Sequence, residues 1–305
     1  MKADNPAARG LPSPGRTVRA GISIERRSWH EEDEPREPHV CERDVQEGGG
    51  GMKRRLATAG PPLAALLLFI GVWQIAVMLF DVEKWMLPSP LDIAREAAAN
   101  GSGILLHALA TLKLMLIGFG TGAGIGLTLA CLLHPLPWLK RAIYPLIILS
   151  QNVPTIALLP LLMLWFGFGL LPKVIVIALV CFFPVCVAAL DGLTQTDRTM
   201  LHYMRMTGAT RAQLFWKLEL PHALPSVFSG LKIAATYSVM GAVIAEWLGT
   251  DQGIGYYMML QKAAYRVDRM FLGIVVIILL SLAMFGAIRL LERMVIRWRP
   301  EENEK

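Results

Sequence analysis

Few side chains in this sequence have the type and spacing to do chemistry, and those few suit moving or docking something rather than making bonds. No GxxxxGK[ST] phosphate loop, HExxH pair or GxSxG elbow occurs, and the six histidines are scattered. Nucleotide hydrolysis, zinc hydrolysis and acyl transfer each need such a set, so no catalysis by this chain is expected. Cys41, Cys131, Cys181 and Cys186 lack metal-ligand spacing, and the last three lie in apolar stretches. They are expected to be buried thiols behaving as small hydrophobes, with no metal site. What remains is Lys113, Asp191, Lys232 and Glu246, within or near the ends of long apolar runs, and Gln151, Asn152 and Thr155 beside several prolines. A charge left facing lipid at membrane depth is costly, so these groups must meet protein, water or headgroups. Lys232 and Asp191 are expected to snorkel to an interface. Glu246, followed by Trp247, is compatible with a gate, an ion pair or an interfacial anchor.

The elements that carry these groups are apolar and long. Of 305 residues, 54% are hydrophobic, and they are grouped in six stretches: Pro61 to Phe80, Ile104 to Leu133, Ala142 to Phe166, Val174 to Leu190, Val227 to Leu248 and Phe271 to Ile288. Each is near the roughly 20 residues a spanning helix needs, which predicts an all-α protein with six transmembrane helices. The net charge of +6 sits at the ends of these stretches, where it orients spans, and does not mark a nucleic-acid surface. Lys53, Arg54, Arg55, Lys140, Arg141, Arg198, Arg205, Arg211, Lys217, Arg289, Arg293, Arg297 and Arg299 fall on one side. Lys84, Arg95, Lys173, Lys262, Arg266 and Arg269 fall on the other. The richer side is predicted to be cytoplasmic, with both termini there.

Inside the second stretch Gly118, Gly122 and Gly126 recur every four residues, with Gly120 and Gly124 between them. The string GFGTGAGIG superficially matches a dinucleotide-binding turn, but no strand precedes it, and close helix packing in lipid is the better account. In the third stretch Pro145, Pro154 and Pro160 each remove a backbone donor. Broken helix at membrane depth is tolerated where protein or a water-filled path surrounds it. Gln151, Asn152 and Thr155, with Tyr237 and Glu246 from the fifth stretch, are therefore candidates to line a path; helix–helix hydrogen bonding is the alternative.

One polar segment interrupts the apolar sequence, Met204 to Pro225, MRMTGATRAQLFWKLELPHALP. Gly208 suits a left-handed turn ending one short helix, and Thr210 with Gln213 three residues on forms a capping box opening the next. That second helix, Arg211 to Leu218, carries Leu214, Phe215 and Leu218 on one stripe and is expected to stop at Pro221 and Pro225. Such a helix suits docking on a soluble partner. Residues 1 to 55 are rich in Pro, Gly, Arg and Glu without apolar periodicity and are expected to be disordered. They contain no apolar stretch that would make a secretory signal. MKRRLATAGPPLAALLLF reads as a first span with its basic anchor, so Met52 is expected to be the initiator. Residues 56 to 300 would then be the transmembrane domain and 301 to 305 a cytoplasmic tail.

The polar segment resembles the signature of binding-protein-dependent ABC importer permeases: Glu-Ala-Ala, three residues, Gly, nine residues, an aliphatic, any residue, then Leu-Pro. Gly208, Leu218 and Leu220-Pro221 match it; His202-Tyr203-Met204 stands where the acidic-small-small triad would be. The resemblance extends through LPSPLDI, HALATLKLMLIGFGTGAGIGL, Gln151 to Gly169 and AVIAEWLG, roughly Met52 to Pro300. The chain looks most like the nitrate, sulfonate, taurine and thiamine-precursor branch, and within it like hydroxymethylpyrimidine permeases. The resemblance implies a type I importer permease fold with a cytoplasmic coupling helix between spans four and five. It also implies two ATPase subunits holding ATP and Mg, docked on the loop that contains Gly208, Ala209, Thr210, Gln213, Leu214, Phe215, Leu218, Leu220 and Pro221. A second permease chain forming a homodimer, a periplasmic or lipid-anchored solute-binding protein and an inner-membrane location complete the implied assembly.

Two other classes fit less of the sequence. An ion-coupled secondary transporter would need paired intramembrane ionisable residues and usually an inverted repeat, and an intramembrane enzyme would need a catalytic set at depth. Asp191 alone does not supply one.

Overall fold

The computed structural model describes the backbone of residues 51–297, with side chains from Gly60 onward. The tail up to residue 50, Cys41, Arg299 and residues 301–305 lie outside the described residues. Gly51 to Arg55, expected within a disordered tail, are helical. The described chain is all-helical: α1 (Gly51–Leu79), α2 (Pro90–Leu133), α3 (Pro137–Ser150), α4 (Thr155–Phe166), α5 (Leu170–Thr194), α6 (Arg198–Met206), α7 (Arg211–Leu214), α8 (Leu220–Glu246), α9 (Ile254–Ala263) and α10 (Val267–Val295). Five helices are long and apolar enough to cross a membrane alone, and the bent pair α3 and α4 brings the number to six if it counts as one span.

The core forms around α5, which packs against α2 on one side and α8 on the other. Met115, Ile177, Cys181, Val185 and Val239 are fully or almost fully buried in this seam. The glycines of α2 make the close approach possible. A Cβ at Gly118 would lie 2.5 Å from the Ile177 side chain, one at Gly122 2.6 Å from the Ala178 carbonyl, and one at Gly126 2.8 Å from the Phe182 carbonyl. Gly120 and Gly124 face open space on the other side of the same helix. Without a hydrophobic drive between helices in lipid, such backbone-to-backbone contact supplies much of the packing energy. Gly122→Leu is therefore expected to cost about 1–3 kcal/mol of stability or more through overpacking against α5. Gly124→Leu should leave the thermal unfolding of detergent-solubilised protein unchanged, and equal melting of the two variants would contradict this packing.

Three expectations need correction. The third apolar stretch is not one continuous helix: α3 ends at Ser150, α4 starts at Thr155, and their axes differ by 96°. Pro145 and Pro160 are accommodated inside α3 and α4, and only Pro154 coincides with the break. There the last turn of α3 tightens, with Gln151 and Asn152 N–H donating to the Ile148 and Leu149 carbonyls (3.3 and 3.1 Å). Second, Cys131 is exposed, while Cys181 and Cys186 are buried. Third, Lys232 meets protein and not headgroups alone, because Glu292 on α10 accepts from its ammonium at 2.9 and 3.2 Å. Lys232→Met is expected to lower stability by leaving the Glu292 carboxylate, about four-fifths buried, without its cation; the double variant Lys232→Met, Glu292→Leu should recover part of the loss. A thermal-shift comparison in which the double variant is worse than either single one would refute the pairing.

Candidate functional site

At one end of the bundle the Gly208 segment is built as a rigid turn. Gly208 has φ +84°, the left-handed region, and follows α6 directly. The Gly208 and Ala209 N–H groups donate to the Arg205 and Met204 carbonyls at 3.0 Å each, closing α6. Thr210 then caps α7: its N–H donates to Gln213 Oε1 (2.9 Å) and its hydroxyl accepts from the Gln213 N–H (3.3 Å).

The helix that begins there does not stop at the prolines. Residues Phe215–Glu219 form a π-helical turn that leads straight into α8, with Pro221 in its first turn and Pro225 inside it. The wider turn lies immediately ahead of Pro221, and Pro225 is accommodated within α8, so Arg211–Glu246 is one continuous helical rod. This corrects the expected short helix ending at Leu218. Leu214 is buried, and Phe215, Leu218, Leu220 and Pro221 are half-buried, so the apolar stripe of the Gly208 segment packs inward. His134 at the end of α2 pairs with Glu219 in the π turn at 2.9 Å and holds the rod to α2.

The outward-facing apolar stripe lies instead on α6, where Met200, Tyr203 and Met206 are 52, 64 and 87% exposed. Their three-residue spacing in a polar stretch is the sequence signal of this stripe.

Further along the rod, α8 meets the break between α3 and α4. Gln151, Thr155 and Tyr237 line one cavity of about 380 Å³, together with Ser150 and Met240. Asn152 is exposed beside it, its amide donating to the Ile148 carbonyl. An apolar groove of about 750 Å³ between α4, α8 and α10 shares Pro154, Thr155 and Met240 with that cavity.

Glu246 is not in this cavity: it is 2% exposed at the far end of α8. Its carboxylate accepts from the Thr111 hydroxyl (3.0 Å) and the Gly255 N–H (2.8 Å), and Thr111 in turn accepts from the Ile254 N–H (2.8 Å). The loop from Trp247 to Gly253 wraps this carboxylate. Its Gly249 carbonyl accepts from the Lys173 ammonium (3.1 Å), and its Gly253 N–H donates to His107 Nδ1 (3.2 Å). One buried carboxylate thus ties α2, α8 and the start of α9 together, while Lys173 ties α5 to the loop. The sequence showed Glu246 but not its partners: Gly255 is nine residues on, beyond the loop, and Thr111 lies 135 residues back in the chain.

A bundle of apolar helices, an externally presented rigid turn and an uncharged recess beside a broken helix define a multi-spanning membrane permease. Residues 122–297 match the family described as "Binding-protein-dependent transport system inner membrane component", and the chain belongs to that family of transport permeases rather than to an enzyme family. It is 36% identical to the formylaminopyrimidine transport permease protein of Halalkalibacterium halodurans, over 82% of this chain and all of that one. It is 30% identical to a putative aliphatic sulfonates transport permease protein of Bacillus subtilis, over 82% of this chain and 90% of that one. The fold is similar to that of a chain from the inward-facing MetNI methionine ABC transporter, with a TM-score of 0.57 at 20% identity, covering 64% of this chain and 99% of that chain.

Proposed function

We propose that the chain is the membrane-spanning subunit of an ATP-driven importer for a small organic solute, a thiamine precursor of the hydroxymethylpyrimidine type. A separate binding protein delivers the solute. Two copies of the chain form the pore, and two ATPase subunits, which hold ATP and Mg, dock on α6 and the Gly208 turn. The Gly208 end and both termini face the cytoplasm, in keeping with the Lys and Arg distribution. The observation that carries this reading is the unbroken rod from Arg211 to Glu246. A motor acting at Gly208 moves the same rigid element that carries Tyr237 beside the helix break. Gln151, Asn152, Thr155 and Tyr237 are the proposed path residues, and the buried Glu246, bonded to Thr111 and Gly255 at the far end of α8, is a structural anchor. The formylaminopyrimidine permease at 36% identity supports the solute class. The sulfonate relative at 30% favours, as a second reading, an oxyanion-bearing solute such as an aliphatic sulfonate, taurine or nitrate.

The test is uptake into vesicles holding this chain with its ATPase and binding protein. Radiolabelled hydroxymethylpyrimidine should accumulate only with internal ATP; accumulation by the chain alone would replace this reading with an ion-coupled carrier. The exposed α6 stripe yields a further prediction. Tyr203→Asp combined with Met206→Asp should weaken ATPase co-purification by about tenfold or more, since central aromatic anchors carry much of a docking energy. Undiminished co-purification would move the docking surface elsewhere.

A further inference from the structure

We infer that the cavity at the break between α3 and α4 is a solute station that accepts an uncharged planar heterocycle and rejects anions, so that the membrane subunit itself selects by charge. This rests on the permease reading above and deepens it.

The polar members of the lining are Ser150, Gln151, Thr155 and Tyr237; the others are apolar, and none is Lys, Arg, His, Asp or Glu. The adjoining groove adds Thr236, Ser281 and Trp247 and is likewise without an ionisable side chain. The cations that could serve an anion are committed or elsewhere. Lys173 bonds the Gly249 carbonyl, Lys232 is paired with Glu292, and Lys113 stands on the exposed face of α2, outside both linings. A sulfonate seated against this half-open lining would gain no counter-charge for whatever water it gives up, a larger cost than a neutral ring would meet there. The first N–H groups of α4 have no capping side chain and offer at most a partial positive charge. That suits a ring nitrogen or carbonyl acceptor but leaves a full negative charge uncompensated.

The available groups match a heteroaromatic. Ser150 spends its hydroxyl on the Ile147 carbonyl at 2.7 Å, whereas the Gln151 amide and the Tyr237 hydroxyl have no bond to other described residues. A primary amide presents one acceptor beside two donors, the complement of an aminopyrimidine edge with its NH₂ next to a ring nitrogen. Tyr237 supplies a ring for stacking, and Met240 a thioether that favours contact with an aromatic edge. The recess, about 380 Å³, lies within the size range of small-molecule sites.

The test is equilibrium binding to the purified full chain in lipid nanodiscs, with labelled hydroxymethylpyrimidine as probe and methanesulfonate as competitor. Saturable pyrimidine binding should survive a hundredfold excess (~100-fold) of the sulfonate, because a charge desolvated without a partner binds far more weakly than a neutral ring. Tyr237→Ala should weaken binding by about tenfold or more and Tyr237→Phe by much less, the loss following the ring rather than the hydroxyl. Gln151→Arg, which adds a cation to the lining, should let the sulfonate compete. Monodisperse elution of each variant shows that it is folded. Equal competition by the sulfonate in the unaltered protein, or unchanged binding in Tyr237→Ala, overturns the station. Neither result touches the importer reading, which stands or falls on ATP-dependent uptake by the assembled complex.

Discussion

Gly208→Val is expected to abolish the proposed ATP-dependent uptake while the protein still inserts in the membrane at near-normal levels. The effect is conformational and not steric, because nothing lies within 4 Å of where a Cβ at Gly208 would stand. Space is available, but φ +84° is not available to a β-branched residue without strain. The cost of the left-handed region is about 1–2 kcal/mol for an ordinary L-residue and more for valine, enough to shift a local equilibrium by roughly tenfold or more. The turn then opens, and the Thr210–Gln213 box no longer fixes the angle between α6 and the rod. The spans are untouched, since their packing lies in the α2, α5 and α8 seam. Gly208→Asn is the discriminating control: asparagine tolerates this region, so uptake should be largely retained. Uptake measured in vesicles with matched protein content decides it, and full activity of the valine variant would show that the turn transmits nothing.

At the opposite end, Gly253→Ala is expected to destabilise the protein outright. Gly253 has φ +111°, and a Cβ built on it would run into the Glu246 carboxylate itself. The methyl group can be accommodated only by moving a carboxylate that accepts from Thr111 and Gly255, or by moving the loop whose N–H bonds His107. Either move leaves buried polar groups without partners. Together with the backbone strain this is expected to cost about 2–4 kcal/mol, a fall of roughly 5–15 °C in the unfolding temperature of solubilised protein. Gly241→Ala is the matched control, because its Cβ would meet Ile177 at 3.5 Å, an ordinary contact. Equal melting of the two variants would show that the loop around Glu246 yields easily and does not anchor this end. Loss of uptake in Gly253→Ala at a temperature where the variant remains folded would add that the anchor also matters for the transport cycle.

The two ends differ in how far the sequence reveals them. The capping box and the left-handed glycine are local devices, formed by residues three to six positions apart, and both lie where the residue types put them. The continuation of the rod through Pro221 and Pro225 was not legible. Prolines ordinarily end a soluble helix, and only neighbours such as His134, pairing with Glu219, together with the π turn make the uninterrupted course possible. Likewise Leu214 reads as a docking residue on its own short helix, but in the fold it is buried.

Apolar run length, glycine spacing and basic flanks determined by themselves that this is an all-α bundle of membrane-crossing helices with a capped polar turn. Those properties depend on hydrophobic length and on contacts within a few residues, which the order of side chains specifies directly. The tertiary structure alone decided that Gln151, Thr155 and Tyr237 share one uncharged recess, that Glu246 is buried and bonded to Thr111 and Gly255, and that the outward apolar stripe belongs to α6. The reason is physical: in lipid, which face of an apolar helix meets protein is set by close steric fit and buried hydrogen bonds across distant segments, and hydrophobicity, nearly uniform around such helices, carries little information about it.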